Sequence, residues 1–281
     1  MSTVVARNAT LTRHGSMKTK IIRDNKASIL DPRGAMTVEE AAREISAQLR
    51  RMGDPVRARG AQNYFKHEIV ALGITAPVLR AFVRERVQRL RPQWTASQAI
   101  ALCDRLLFEP EMEIRGAGFL VLSAFKKELT PDLLEQAEAW LKRRLDNWAL
   151  VDGFCSTVLS PLLERFPPAE KRLEAWSRAE SLWLRRAALV TLVPFARRGR
   201  LLDTGYRLAR AHFGDPEDLM HKATGWLLRE AGKTDMARLR RYLLDHGPMI
   251  PRTALRYAIE RFPRPEREFL LGATRVHPAT P

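Results

Sequence analysis

The chain has 281 residues and a mass of 32.1 kDa, room for one large domain or two small ones, and its 45% hydrophobic content is enough for a sizeable core. Forty-eight Lys and Arg stand against 32 acids, for a net charge of +16 and a pI near 10.6, so a polyanionic partner, nucleic acid above all, is expected. Two cysteines without a CxxC (Cys103 and Cys155), six histidines without an HxxxH or HxH pair, and no apolar run near the roughly 18 residues of a membrane span argue against a disulfide framework, a metal site and a membrane anchor. A cytoplasmic protein without cofactor is the expectation.

In chain order, residues 1–35 come first. They lack sustained hydrophobic periodicity and hold seven basic residues against two acids, Asp24 and Asp31. They account for +5 of the charge and leave +11 on the remainder, so the excess belongs to the folded body. The stretch reads as a disordered or over-extended tail, with a transit peptide as the alternative. A domain is expected over 36–272 and a short tail over 273–281.

Helix signals begin at Met36. "MTVEEAAREISAQLRRM" offers Thr37 as N-cap and Glu40 three residues on, a capping box. "TASQ" at 95–98 is a second box. "TPDLLEQAEAWLKRRL" predicts Thr130 as cap with Pro131 at the first helical position. "DPEDLMHKATGWLLREAGK" predicts the same device with Asp215 and Pro216, and Gly232 as the stop. Apolar residues recur at three and four, and no Asn-Gly or Asp-Gly hairpin separates alternating runs. The body reads as all-α.

A repeat runs through it. "IRGAGFLVL", "RRAALVTLV", "HKATGWLLR" and "PRTALRYAI" each place a basic residue (Arg115, Arg186, Lys222, Arg252) before small residues and a bulky apolar stretch. Asp152 in "LVDGFCSTV" falls at the matching place between the first two. The spacing of 30 to 37 residues suits a HEAT-type helix pair, hence an α-solenoid with a concave basic groove. Matched positions of a solenoid line one surface. Asp152, Arg186 and Lys222, with Trp148 a turn before and Trp226 a turn after, are therefore expected to form a row facing one groove.

In a groove for duplex DNA, Arg186, Lys222, Lys66, Arg80, Arg84 and Arg252 would neutralise phosphates without reading sequence, and the indoles would pack on a sugar or base. A lone carboxylate there repels phosphate and makes sense if positive charge develops during reaction. Loss of a base from deoxyribose develops such charge, and a base already cationic through alkylation leaves without a protonating acid. The alternatives are that Asp152 pairs with a nearby arginine or a backbone amide, and that Trp148 and Trp226 are core residues. For function, the alternatives are a non-catalytic solenoid that binds bent or branched DNA, and a protein-binding HEAT scaffold, which +11 on the body disfavours.

At these residues the chain resembles the AlkD-like DNA alkylation-repair glycosylases, built from HEAT-like repeats, over about residues 37–262. The resemblance is carried by "YFKHEIVALGI" at 64–74, "DNWALVD" at 146–152, "WLRRAAL" at 183–189, "HKATGWLLRE" at 221–230 and "PRTALRYAIERF" at 251–262, in that order and spacing. It implies Asp152 as the catalytic carboxylate and Trp148 and Trp226 as aromatic walls against the lesion's deoxyribose. It implies Arg186 as a contact to the DNA backbone near the lesion, and Tyr64 as a residue near the DNA. It further implies excision of positively charged N3- and N7-alkylated purines from duplex DNA without base flipping, by a metal-independent enzyme expected to be monomeric. Two departures stand out: Asn147 occupies a position where some members place a second aromatic, and residues 1–35 have no counterpart.

Overall fold

The computed structural model describes residues 36–275, and the expectation of an N-terminal tail lies outside the described residues. The α-helices are α1 (Val38–Arg51), α2 (Pro55–Ala61), α3 (Ala76–Leu90), α4 (Ala96–Leu106), α5 (Met112–Ser123), α6 (Leu133–Arg143), α7 (Trp148–Phe154), α8 (Ser160–Arg165), α9 (Glu170–Ser177), α10 (Leu182–Val190), α11 (Val193–Ala196), α12 (Leu202–Ala211), α13 (Asp218–Gly232), α14 (Met236–His246), α15 (Arg252–Ala258) and α16 (Arg264–Ala273). Among the described residues there is no strand.

Most of these helices form two layers. In the front layer α3, α5, α7, α10, α13 and α15 each pack on the next. The rear layer, α4, α6, α9, α12, α14 and α16, is stitched by polar contacts with a repeating interval. Trp140 Nε1 donates to Asp104 at 2.7 Å, Trp176 Nε1 to Glu138 at 2.8 Å, and the Tyr242 hydroxyl to the Tyr206 carbonyl at 2.9 Å. These partners lie 36, 38 and 36 residues apart, which is one helix pair with its turns. Trp140 and Trp176 are buried, so their indole N–H groups need these acceptors. The structure is the helical-repeat solenoid expected from the sequence.

The predicted starts of α1 and α4 are present: Thr37 with Glu40, and Thr95 with Gln98, each form a complete capping box. Two other starts shift. The α6 helix begins at Leu133, because the amides of Leu133 and Leu134 bond three residues back, to Thr130 and Pro131, in a tighter first turn. The α13 helix begins at Asp218, with Glu217 at the N-cap position and no side-chain cap. Asp215 is instead engaged by Arg185, whose Nε lies 2.8 Å from it, and it accepts from the Glu217 amide at 3.1 Å. Gly232 does end α13.

Small residues set the close approaches in the front layer. A Cβ on Gly118 would lie 3.3 Å from the Cys103 backbone, where α5 crosses α4. One on Gly225 would fall 2.4 Å from the Ala254 carbonyl oxygen, where α13 crosses α15. That second crossing fixes the height of Trp226, the next residue. At the C-terminal end, buried Thr274 donates to the Leu270 carbonyl and accepts from Arg252, so the packed body extends past the expected boundary at 272.

Candidate functional site

The residues of the repeat register sit on successive helices of the front layer: Arg115 on α5, Asp152 on α7, Arg186 on α10, Lys222 on α13 and Arg252 on α15. Three of these residues, the arginines, find partners within the chain. Arg115 is buried, and Nη1 donates to the Arg144 carbonyl and to Asp146, both at 2.9 Å. Arg186 donates to the Leu219 carbonyl at the start of α13. Arg252 donates to the Leu271 carbonyl at 3.0 Å and to Thr274 at 3.1 Å. These guanidiniums clamp one unit to the next through backbone carbonyls, which are costly to bury without donors. Arg186 and Arg252 are thus engaged within the chain and do not stand free, Arg186 with only 4% of its surface exposed.

Arg186 makes its main contact with Asp152. Nε donates to one carboxylate oxygen and Nη2 to the other, each at 2.8 Å. This is the bidentate fork geometry that gives arginine–carboxylate pairs both strength and direction. The side chains are 5% and 15% exposed, so the pair sits at the boundary of the core, with the carboxylate on the wetter side. Burial pushes the Asp152 carboxyl above its ordinary range, and the Arg186 charge and hydrogen bonds pull against that rise.

Local sequence explains how α7 presents Asp152. Buried Asn147 caps the helix, its Oδ1 accepting from the Leu150 amide at 3.0 Å, which accounts for an asparagine before Trp148. After Phe154 the chain passes through a π-helical turn, Cys155–Leu159, into α8. Pro161 near the start of α8 lacks an amide hydrogen, and a wider turn accommodates it. Hydroxyls take up the loosened carbonyls: Ser156 donates to Asp152 O at 2.8 Å, Thr157 to Gly153 O at 2.7 Å and Ser160 to Cys155 O at 2.9 Å. The backbone of Asp152 is thereby fixed from behind while its side chain points to Arg186.

Trp148 lies one turn before Asp152 on α7. Its ring stacks on Phe65 with centroids 5.3 Å apart and planes 18° from parallel, and its Nε1 donates to the Tyr64 carbonyl at 3.3 Å. Tyr64 itself is 75% exposed. Lys66 follows on the same loop. The Lys222 ammonium, 2.9 Å from Asp218, and Lys66 further off hold the Asp218 carboxyl below the usual range. Trp226, one turn beyond Lys222, is half-buried against the core. Arg80 and Arg84 are exposed on α3, without an ion-pair partner among the described residues, and nothing brings them against Asp152. Contacts thus link Tyr64 to Trp148, Asp152 on the same α7 helix to Arg186, and Arg186 to the Leu219 carbonyl of α13, the helix that also carries Lys222 and Trp226.

Neither Phe65 nor Glu113 is singled out by the sequence, yet both shape the site. Buried Glu113, at the start of α5, accepts from the amides of Leu72, Gly73 and Ile74 at 2.8, 2.8 and 3.2 Å. The Met112 amide donates to the Val70 carbonyl at 2.9 Å. Together they pin the loop that carries Phe65 and Tyr64 over Trp148. Gly73 has φ 78°, a left-handed conformation that lets three successive amides converge on one carboxylate. Glu113→Gln replaces an acceptor oxygen by a donor facing these amides and is expected to cost about 1–3 kcal/mol of stability. Hydrogen exchange should show Leu72, Gly73 and Ile74 losing protection. Unchanged protection there would mean that Glu113 does not hold the loop.

The free cysteines Cys103 and Cys155 are buried, and burial raises both thiols. No group of three metal-ligating side chains occurs among the described residues, and no described helix is long and apolar enough to cross a membrane.

A solved structure described as a predicted DNA alkylation repair enzyme from Enterococcus faecalis has the same fold, with a TM-score of 0.67 at 17% identity over 75% of this chain and 97% of that one. No curated protein sequence matches. The family model for DNA alkylation repair enzymes matches residues 45–262, a span that takes in Tyr64, Trp148, Asp152, Arg186 and Trp226. By that match, over most of its length, the chain belongs to the DNA alkylation repair enzyme family.

Proposed function

We propose that the protein is a monofunctional DNA glycosylase that hydrolyses the N-glycosidic bond of positively charged N3- and N7-alkylated purines in duplex DNA, without flipping the nucleotide and without a metal. The observation that carries this reading is the Trp148–Asp152 pair on one face of α7, with the carboxylate aimed and held by Arg186.

In the proposed step the bond between C1′ and the purine nitrogen breaks, and its electron pair passes into the base, cancelling the base's charge. The sugar becomes oxocarbenium-like, and the Asp152 carboxylate stabilises it electrostatically. Water adds its oxygen to C1′ and gives up a proton to the carboxylate or to solvent, leaving an abasic site. Trp148, backed by the Phe65 ring, and Trp226 supply apolar surfaces for the deoxyribose. Lys66 and Lys222 supply positive charge for the backbone, and Tyr64 an exposed ring beside it. A monomer suits this engagement of one lesion by one row of helices.

The test is release of 7-methylguanine from a duplex by the native protein. Release is expected, and Trp148→Ala should lose excision more than affinity; the opposite order would count against the sugar-wall role. One observation favours a non-catalytic DNA-binding solenoid instead: Arg186 occupies both oxygens of Asp152, as a purely structural ion pair would. Binding of the lesion duplex without base release would establish that second reading.

A further inference from the structure

A cleft of about 390 Å³ lies beside the site just described, lined among others by His67, Phe108, Arg115, Arg143, Arg144 and Asp146. It adjoins the Trp148 junction along two stretches of chain. His67 is two residues past Phe65, the platform of Trp148, and Asp146 is two residues before Trp148 itself.

The charges in the cleft are not equivalent. Asp146 is engaged by Arg115 at 2.9 Å and by the Asn147 side-chain Nδ2 at 3.2 Å. Glu109 is engaged by Arg50 at 2.7 Å and by Arg105 at 2.9 Å. Arg115 is committed to Asp146 and to the carbonyls of Arg144 and Pro110. Arg143 and Arg144, at the end of α6, have no carboxylate partner among the described residues, and Glu68 is the remaining acid of the lining.

Arg144 is also pre-set. Its guanidinium carbon lies 3.5 Å from the centroid of the Phe108 ring, and Phe108 is 55% exposed. An aromatic face fixes the plane of a guanidinium without using its N–H groups, which lie in that plane and point outward. A planar fork held in this way matches two oxygens of a phosphodiester.

We propose that Arg143 and Arg144, with Phe108 as the platform for Arg144, form a binding site for the DNA phosphodiester backbone flanking the lesion. This rests on the reading of the protein as a duplex-binding repair enzyme and extends it to residues outside the Trp148–Asp152 junction. The site anchors the duplex and takes no part in the reaction at C1′.

The test is the salt dependence of affinity for an unmodified duplex, for the full chain and for Arg143→Gln/Arg144→Gln, which keeps the side-chain stems. Each lost phosphate contact lowers the slope of log affinity against log salt by about 0.9, so the double variant should be shallower by about 1.8. Lys171→Ala, at an exposed lysine near the start of α9, should keep the native slope. A weaker affinity with an unchanged slope would overturn the site, because a packing defect lowers affinity without changing the number of phosphates contacted. A native protein with no salt-dependent duplex binding would overturn the reading beneath it as well, so the two failures are distinguishable.

Discussion

Asp152→Asn is expected to reduce the rate of 7-methylguanine release at saturating DNA by about 10²–10³-fold, the usual loss when a pre-aimed charge partner of the transition state is removed. The amide is nearly isosteric with the carboxylate, and its oxygen can still accept one of the two Arg186 hydrogen bonds. Its NH2 group, however, confronts the other guanidinium donor, and the negative charge is gone. The variant therefore separates charge from shape. Affinity for the duplex should be retained or improved, since an anion facing the phosphates has been neutralised. Equal release by native protein and variant would remove Asp152 from the reaction. A loss of release that follows the loss of folded protein in a melting experiment would assign it a structural role only.

The second large effect is expected at Arg186. Arg186→Gln leaves a carboxylate that is 15% exposed without its counter-ion, and the Leu219 carbonyl without its donor. Breaking a buried pair from one side typically costs about 3–5 kcal/mol. The sign of the pH dependence follows from the carboxyl. Burial already raises it above its ordinary range, and Arg186 is the group that opposes the rise. Without Arg186 it rises further. A carboxyl raised in the folded state binds its proton more tightly there than in the unfolded chain, so stability is greatest below the unfolded pKa and falls as the pH climbs through the folded one. The variant should therefore be most destabilised near neutrality and recover as the pH drops into the raised range of Asp152. The acid limb of base release, which requires the ionised carboxylate, should shift upward as well. Asp152→Leu/Arg186→Met should regain most of the lost stability and no activity. Urea unfolding between acid and neutral pH reads all of this, and a pH-independent deficit in Arg186→Gln would contradict the coupling.

How much of this was legible in the sequence depends on how far apart the partners lie. Thr37 with Glu40 and Thr95 with Gln98 are capping boxes complete within four residues, so the starts of α1 and α4 can be read locally. Asp215 carries an equally good local signal, but Arg185, thirty residues earlier, takes its carboxylate, and α13 starts later. The basic–small–small register is visible because each unit repeats it. Its purpose is not, because Arg115, Arg186 and Arg252 bond to backbone carbonyls of later segments, and a carbonyl leaves no trace in residue identity. Glu113 is hidden for the same reason, since its three partners are amides. Trp148 and Asp152 were legible as a pair by helical spacing alone. That Arg186 is the arginine that pairs with Asp152 required the α7–α10 contact.

A carboxylate that is to stabilise a cationic sugar must stay ionised at the edge of a core, where burial works against it. Arg186 supplies the opposing charge from the buried side and leaves the outer edge of Asp152 toward solvent. In the proposed reaction Arg186 would act through Asp152, keeping the carboxylate charged and aimed.

The most direct measurement of the central claim uses a duplex in which a cationic pyrrolidine ring replaces the lesion's deoxyribose, mimicking the charge that develops on the sugar. Native protein should bind this duplex at least about 10²-fold more tightly than Asp152→Asn does, while the two bind an uncharged tetrahydrofuran duplex equally. Equal affinity of both proteins for the cationic duplex would contradict the account.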